Sequence, residues 1–123
     1  MEREIYNIDT SIRFDPLERI DVGAIDAGCK ERWFNTSLTR VNDSVVRLGI
    51  IEGEFHWHSH REEDEFFYVL SGRLLVDLEE RSVELGPNQG FTVPRGVVHR
   101  TRAPERTVML MVEGAGVVPT GDE

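Results

Sequence analysis

From residue 32 onward apolar positions alternate with polar ones or fall into short runs, and turn residues interrupt them at close intervals. A period of two, with no sustained 3.6-residue repeat, predicts an all-β fold. The predicted strands span 33–39, 45–52, 55–58, 65–70, 73–78, 82–85, 90–93, 99–102 and 107–113. Asn42-Asp43, Gly53, Ser71-Gly72, Glu79-Glu80, Gly86-Pro87-Asn88 and Pro94-Arg95-Gly96 punctuate them. Around Ser71-Gly72 the flanking runs read as a hairpin, with Leu74, Val76 and Leu78 on one face. Many short antiparallel strands predict a sandwich or a jelly-roll barrel, architectures that curl the sheet and limit exposed edges. Ahead of residue 32 the pattern is irregular. Asp15-Pro16-Leu17-Glu18 offers an N-cap, a proline set for the first helical position and an acidic first turn, which predicts a short helix near 16–21.

The 123 residues suit one domain: an irregular segment over 1–31, a barrel over about 32–115 and a short tail. A formal charge of -9 sets a field that repels phosphate backbones and anionic headgroups, so neither nucleic acid nor a membrane is an expected partner. The apolar runs are too short to span a bilayer. Cys29 is the only cysteine and cannot form an internal disulfide. The opening Met1-Glu2-Arg3-Glu4-Ile5 lacks an apolar leader core, so a cytoplasmic location is expected.

Candidate chemistry concentrates on histidine. Three of the four histidines are His56, His58 and His60, and the fourth, His99, follows a tight Pro-Gly turn. Alternate residues of an extended segment point to one side, so these imidazoles are placed to converge on a cation. Imidazole suits zinc, copper, iron or nickel, and a carboxylate adds manganese. Glu62, Glu63, Asp64 and Glu65 supply carboxylates. Glu65 is favoured because it directly precedes the run 66–70 and shares strand parity with Phe67 and Val69.

These residues resemble the two metal motifs of the cupin superfamily. Gly53-Glu54-Phe55-His56-Trp57-His58-Ser59-His60, followed by Glu65 and Gly72, is similar to the first motif. Pro94-Arg95-Gly96-Val97-Val98-His99 is similar to the core of the second. His58 and His60, four residues, Glu65, six residues and Gly72 satisfy the whole first pattern. In the rival register, His56 and His58 with Glu62 or Glu63, the closing glycine falls on Val69 or Leu70. Three positions depart from the pattern: Glu52 stands where the first glycine belongs, with Gly53 beside it, Asn88 replaces the second-motif glycine, and Ala103 replaces its terminal asparagine. A bulge near residue 52 is therefore expected, while Asn88 tolerates the left-handed conformation a turn glycine supplies.

The resemblance implies a double-stranded β-helix, the jelly-roll cupin barrel, with one divalent transition metal (Zn, Fe, Mn, Ni or Cu) held by His58, His60, Glu65 and His99. His56 then lines the pocket or supports the structure. It also implies a small-molecule ligand or substrate and a possible homodimer. Small cupins of this kind are likened to mannose-6-phosphate isomerase. An ion with open positions supports an isomerase, cyclase or lyase acting on an oxygenated substrate; the alternatives are a dioxygenase and a non-enzymatic ligand or metal binder. Proton-transfer candidates are Tyr68, His56, Glu63 and Glu54, and Arg47, Arg95 and Arg100 are the basic groups near the motifs, each expected in surface ion pairs.

Overall fold

The computed structural model describes residues 6–121; residues 1–5, read above for a leader, and 122–123 lie outside it. The elements run β1 (Asn7–Ile12), α1 (Val22–Gly28), β2 (Trp33–Val41), β3 (Ser44–Glu54), β4 (Glu65–Ser71), β5 (Leu74–Leu78), β6 (Ser82–Leu85), β7 (Gly90–Val93) and β8 (His99–Gly114). No helix among the described residues is long and apolar enough to cross a membrane.

The predicted strands 99–102 and 107–113 join into one long strand, β8. Its first part pairs with β5, Leu78 opposite His99 and Leu75 opposite Arg102. Its second part lies between β3 and β4. The exposed stretch Pro104-Glu105-Arg106 separates the two, and proline, which has no N–H for the ladder, belongs at such a break. β8 therefore belongs to both walls. One wall is β1-β2-β3-β8-β4-β7, and the other is β5 with β6 and the start of β8.

The predicted hairpin around Ser71-Gly72 does not form. β4 pairs with β7 and β8, whereas β5 pairs with β6 and β8. Ser71-Gly72 turns a corner between walls, with β8 as the neighbour that β4 and β5 share. Gly72 is needed there on two counts: its φ is +89°, and a Cβ would fall 2.5 Å from the Arg106 carbonyl oxygen and from Thr107 Oγ1. The Thr107 hydroxyl clamps the corner, accepting from Arg73 N and donating to Arg73 O, both at 2.9 Å.

The predicted helix over 16–21 is a turn. Leu17 has a φ of 73°, outside helical space. Asp15 N donates to the Glu18 carboxylate, and Glu18 N to Asp15 O. Helix α1 begins at Val22, capped by Asp21, whose carboxylate accepts from Ala24 N at 3.0 Å. Gly23 lies within it.

β3 is buried on both faces because both have partners. Ile51 faces a core with Trp33, Phe55, Phe67, Val69 and Met111 inside the barrel. Leu48 and Ile50 face a second cluster, with Leu38 and Val108, that is covered by Phe14, Ile20, Val22 and Ile25. The N-terminal segment thus supplies β1, parallel to β2, and a lid over the outer face of the larger wall.

The predicted strand 55–58 is not one. The β3–β8 register shifts between Ile51 and Gly53, where Gly53 takes a φ of 121°. This is the expected bulge, and within the described residues 55–64 only His58 makes a β-bridge, to His99. Asn88 has a φ of 67°, as expected of a residue standing for a turn glycine.

Replacing Gly72 by Ala is expected to destabilise the fold by about 2 kcal/mol or more in urea unfolding, because a side chain is strained at that φ and meets β8 backbone. Gly116→Ala, where a Cβ meets open space, is expected to stay within about 0.5 kcal/mol of wild type.

Candidate metal centre

Backbone pairing brings the histidines together. His58 N donates to His99 O and His99 N to His58 O, both at 2.9 Å. In such a reciprocal antiparallel pair the two side chains share a face, and the ring centroids lie 4.4 Å apart. His60 is pinned by Gly96, whose N–H donates to the His60 carbonyl at 2.7 Å. The Pro94-Arg95-Gly96 turn therefore sets both His60 and His99. Glu65 opens β4 as a buried residue and stands opposite Val93 of β7 and Glu113 of β8.

His58, His60, Glu65 and His99 each offer one ligand atom, and these atoms lie within 4.8 Å of one another. His99 Nε2 is 3.1 Å from Glu65 Oε1, and His60 Nε2 is 3.4 Å from the same oxygen. His58 Nδ1 lies 3.0 Å from His56 O and His99 Nδ1 3.0 Å from Val97 O. A ring that donates through Nδ1 to a carbonyl presents the lone pair of Nε2, the arrangement that orients a metal-binding imidazole. His60 is buried, and neither of its ring nitrogens has a hydrogen-bond partner. A buried, unsatisfied imidazole beside two oriented ones and a carboxylate fits a cation. The group could hold one metal ion.

The charges agree with this. Burial pushes His58 down to about 4, against the pull of the His56 carbonyl, so the ring stays neutral and able to ligate. Burial alone would raise Glu65, but the His60 and His99 imidazoles outweigh it and hold the carboxyl well below the usual carboxylate range. Glu113 is displaced the other way: burial and the Glu65 carboxylate push it up, and Arg47 pulls it down only in part.

Beside the four residues lies a small cavity of about 30 Å³, lined by Trp33, Asn35, Arg47, Phe55, His58, Glu65, Phe67, Met111, Glu113 and Pro119. Arg47, expected on the surface, is 3% exposed. Its Nε donates to Glu113 Oε2 at 2.6 Å and its Nη1 to Ser37 Oγ at 3.0 Å. Strand parity could have found this pair: Arg47 shares it with Val45 and Ile51, and Glu113 with Met109 and Met111, all buried.

The remaining candidates lie elsewhere. Tyr68 alternates to the other face of β4, where its hydroxyl donates to Asn88 Oδ1. Glu63 is exposed and sits against Gly114. Glu54 pairs with Arg100, Arg100 also with Asp77, and Arg95 with Asp64. His56 stands outside the four-residue group, and its Nε2 lies 2.7 Å from Thr120 O. It anchors the C-terminal residues across the mouth of the site.

The depressed His58 pKa has a stability consequence in the metal-free protein. Between the unfolded value near 6.5 and the folded value near 4 the unfolded chain binds the extra proton, so the stabilisation is complete above about pH 6.5 and is lost as pH falls. In urea unfolding, the stability difference between wild type and His58→Gln is expected to shrink by about 3 kcal/mol from neutral pH to pH about 4.

The cupin domain family (Cupin_2) matches residues 45–113. The uncharacterized protein YdbB of Bacillus subtilis (strain 168) is 45% identical over 91 residues, which cover 73% of this chain and 80% of YdbB. Polyketide synthase CurC of Streptomyces cyaneus is 42% identical over 45 residues, 37% of this chain and 29% of CurC. The solved structure of a cupin-2 domain containing protein from Shewanella frigidimarina superposes with a TM-score of 0.73 at 27% identity, covering 77% of this chain and 93% of that one. The family match spans more than half of the residues and takes in every member of the His and Glu group, and the barrel is the one that match implies: the chain belongs to the cupin family.

Proposed function

We propose that this chain is a metal-dependent enzyme for a small oxygenated substrate, with one divalent transition ion (zinc, iron, manganese, nickel or copper) held by His58, His60, Glu65 and His99. The observation that carries this reading is the convergence of four ligand atoms beside a small cavity. A bound divalent ion supplies Lewis-acid polarisation of a carbonyl or hydroxyl oxygen, the chemistry of an isomerase, cyclase or lyase. The protein's own share is orientation and exclusion of water. The carbonyls of His56 and Val97 fix two of the imidazoles, while Phe55, Phe67 and Met111 keep the cavity apolar around its few polar groups. The similarity to polyketide synthase CurC, confined to 29% of that protein, supports keeping a polyketide-like compound among the oxygenated substrates. Among the described residues Arg47 is the one arginine that lines the cavity, Arg95 and Arg100 being engaged elsewhere.

Elemental analysis of purified, tag-free protein is expected to find about one equivalent of a transition metal, because the four ligand atoms converge on one place. His58→Ala or His99→Ala should lower that content at least about tenfold. His56→Ala should retain most of it, because the group that orients His58 is the backbone carbonyl of residue 56. Equal loss from all three variants overturns the ligand assignment. No metal after reconstitution with each ion leaves a barrel that binds its ligand without one.

A further inference from the structure

Three polar atoms in the cavity wall have no partner: Trp33 Nε1, Asn35 Oδ1 and Glu113 Oε1 are buried and make no hydrogen bond. Buried polar groups are normally satisfied, and three left open around one cavity call for an occupant. Arg47 adds to them. It spends Nε on Glu113 and Nη1 on Ser37, and its Nη2 has no hydrogen-bond partner among the described residues. The wall therefore presents donors from an indole and a guanidinium, and acceptors from an amide and a carboxylate. An occupant must carry acceptor oxygens for the former and hydroxyl donors for the latter. The indole N–H and the guanidinium together suit a carboxylate.

Size adds a second constraint. The cavity has room for about two waters. A second cavity, of about 360 Å³, shares two of its walls, Arg47 and Pro119. Arg47 lines both, and so does Pro119 of the C-terminal residues 115–121. These hold by isolated hydrogen bonds, Ala115 N to Asp43 O, Val117 N to Gly114 O, Gly121 N to Val118 O and the contact of His56 with Thr120 O, with no strand ladder. A segment secured in this way opens at far lower cost than a sheet strand. Moving it joins the cavities into a space within the ordinary range of ligand sites.

We infer that Trp33, Asn35, Arg47 and Glu113 form a subsite for a small hydroxycarboxylate, and that residues 115–121 are a partition that withdraws to admit it. The inference rests on the metal-centre reading above. Trp33 and Asn35 set specificity by pairing with the ligand's oxygens, and Pro119 sets the rate of entry.

The test uses metal-loaded, full-length protein with D-glycerate as the probe and propionate, which lacks hydroxyls, as its comparison. Metal content is measured first, and its absence overturns the proposed function together with this inference. With metal present, calorimetry is expected to show glycerate binding at least about tenfold tighter than propionate. Trp33→Phe and Asn35→Ala should each weaken glycerate about 3- to 10-fold while leaving metal content and propionate binding unchanged. Pro119→Ala should raise the association rate of glycerate severalfold in stopped-flow measurement. Failure of the loaded wild type to bind glycerate, equal affinity for propionate, or Trp33 and Asn35 variants that bind glycerate as wild type does overturns the subsite. An association rate unchanged in Pro119→Ala overturns the partition.

Discussion

The interior of this small barrel holds charge, and the rest of the structure is arranged to make that tolerable. A guanidinium, two carboxylates and several imidazoles lie among apolar side chains, where an unpaired charge costs several kcal/mol. The compensation comes from strand order. β8 runs between β3 and β4, so Glu113 stands beside Arg47 of one neighbour and opposite Glu65 of the other. Shifting β8 by one residue would turn Glu113 to the other face of the sheet and leave Arg47 buried alone. The ion pair therefore marks the register as well as stabilising it, and the same register places Glu65 against His99.

The other wall is held from outside in a comparable way. Asp77 of β5 accepts from Arg100, Arg102 and Ser82, and these donors, Arg102 foremost, hold its carboxyl well below the usual carboxylate range. Arg100 and Arg102 flank Thr101 on β8, immediately after His99. This network fastens the stretch of β8 that delivers His99 to the start of the wall, while Thr107 fastens the far side of the bend. His99 thus opens a strand that two polar clamps hold further along its length.

Much of this was legible in the sequence, for reasons that can be named. Alternation gave most strands, and spacing brought His58, His60, Glu65 and His99 forward, because a motif is a local record of how a turn and a strand aim their side chains. Misplaced readings share one cause. Nothing local in 66–78 says that β4 and β5 prefer β8 to each other, and nothing in Asp15-Pro16-Leu17-Glu18 separates a turn from a helix start when both use the same residues. Arg47 and Glu113 were missed because charged side chains are usually exposed, and composition outweighed parity. His56 could not be placed from its neighbours, since its partner is the carbonyl of Thr120, far along the chain.

The central place of β8 has a consequence for how the molecule comes into being. β3 and β4 lie on either side of it but do not pair with each other, so until residue 114 has been synthesised each lacks a neighbour along one edge. The chain cannot close its barrel piecemeal as it leaves the ribosome. For that interval β3 presents an unpaired apolar edge, a template for the β8 segment of another copy, and the time between making β3 and β8 is when this protein is most exposed to aggregation.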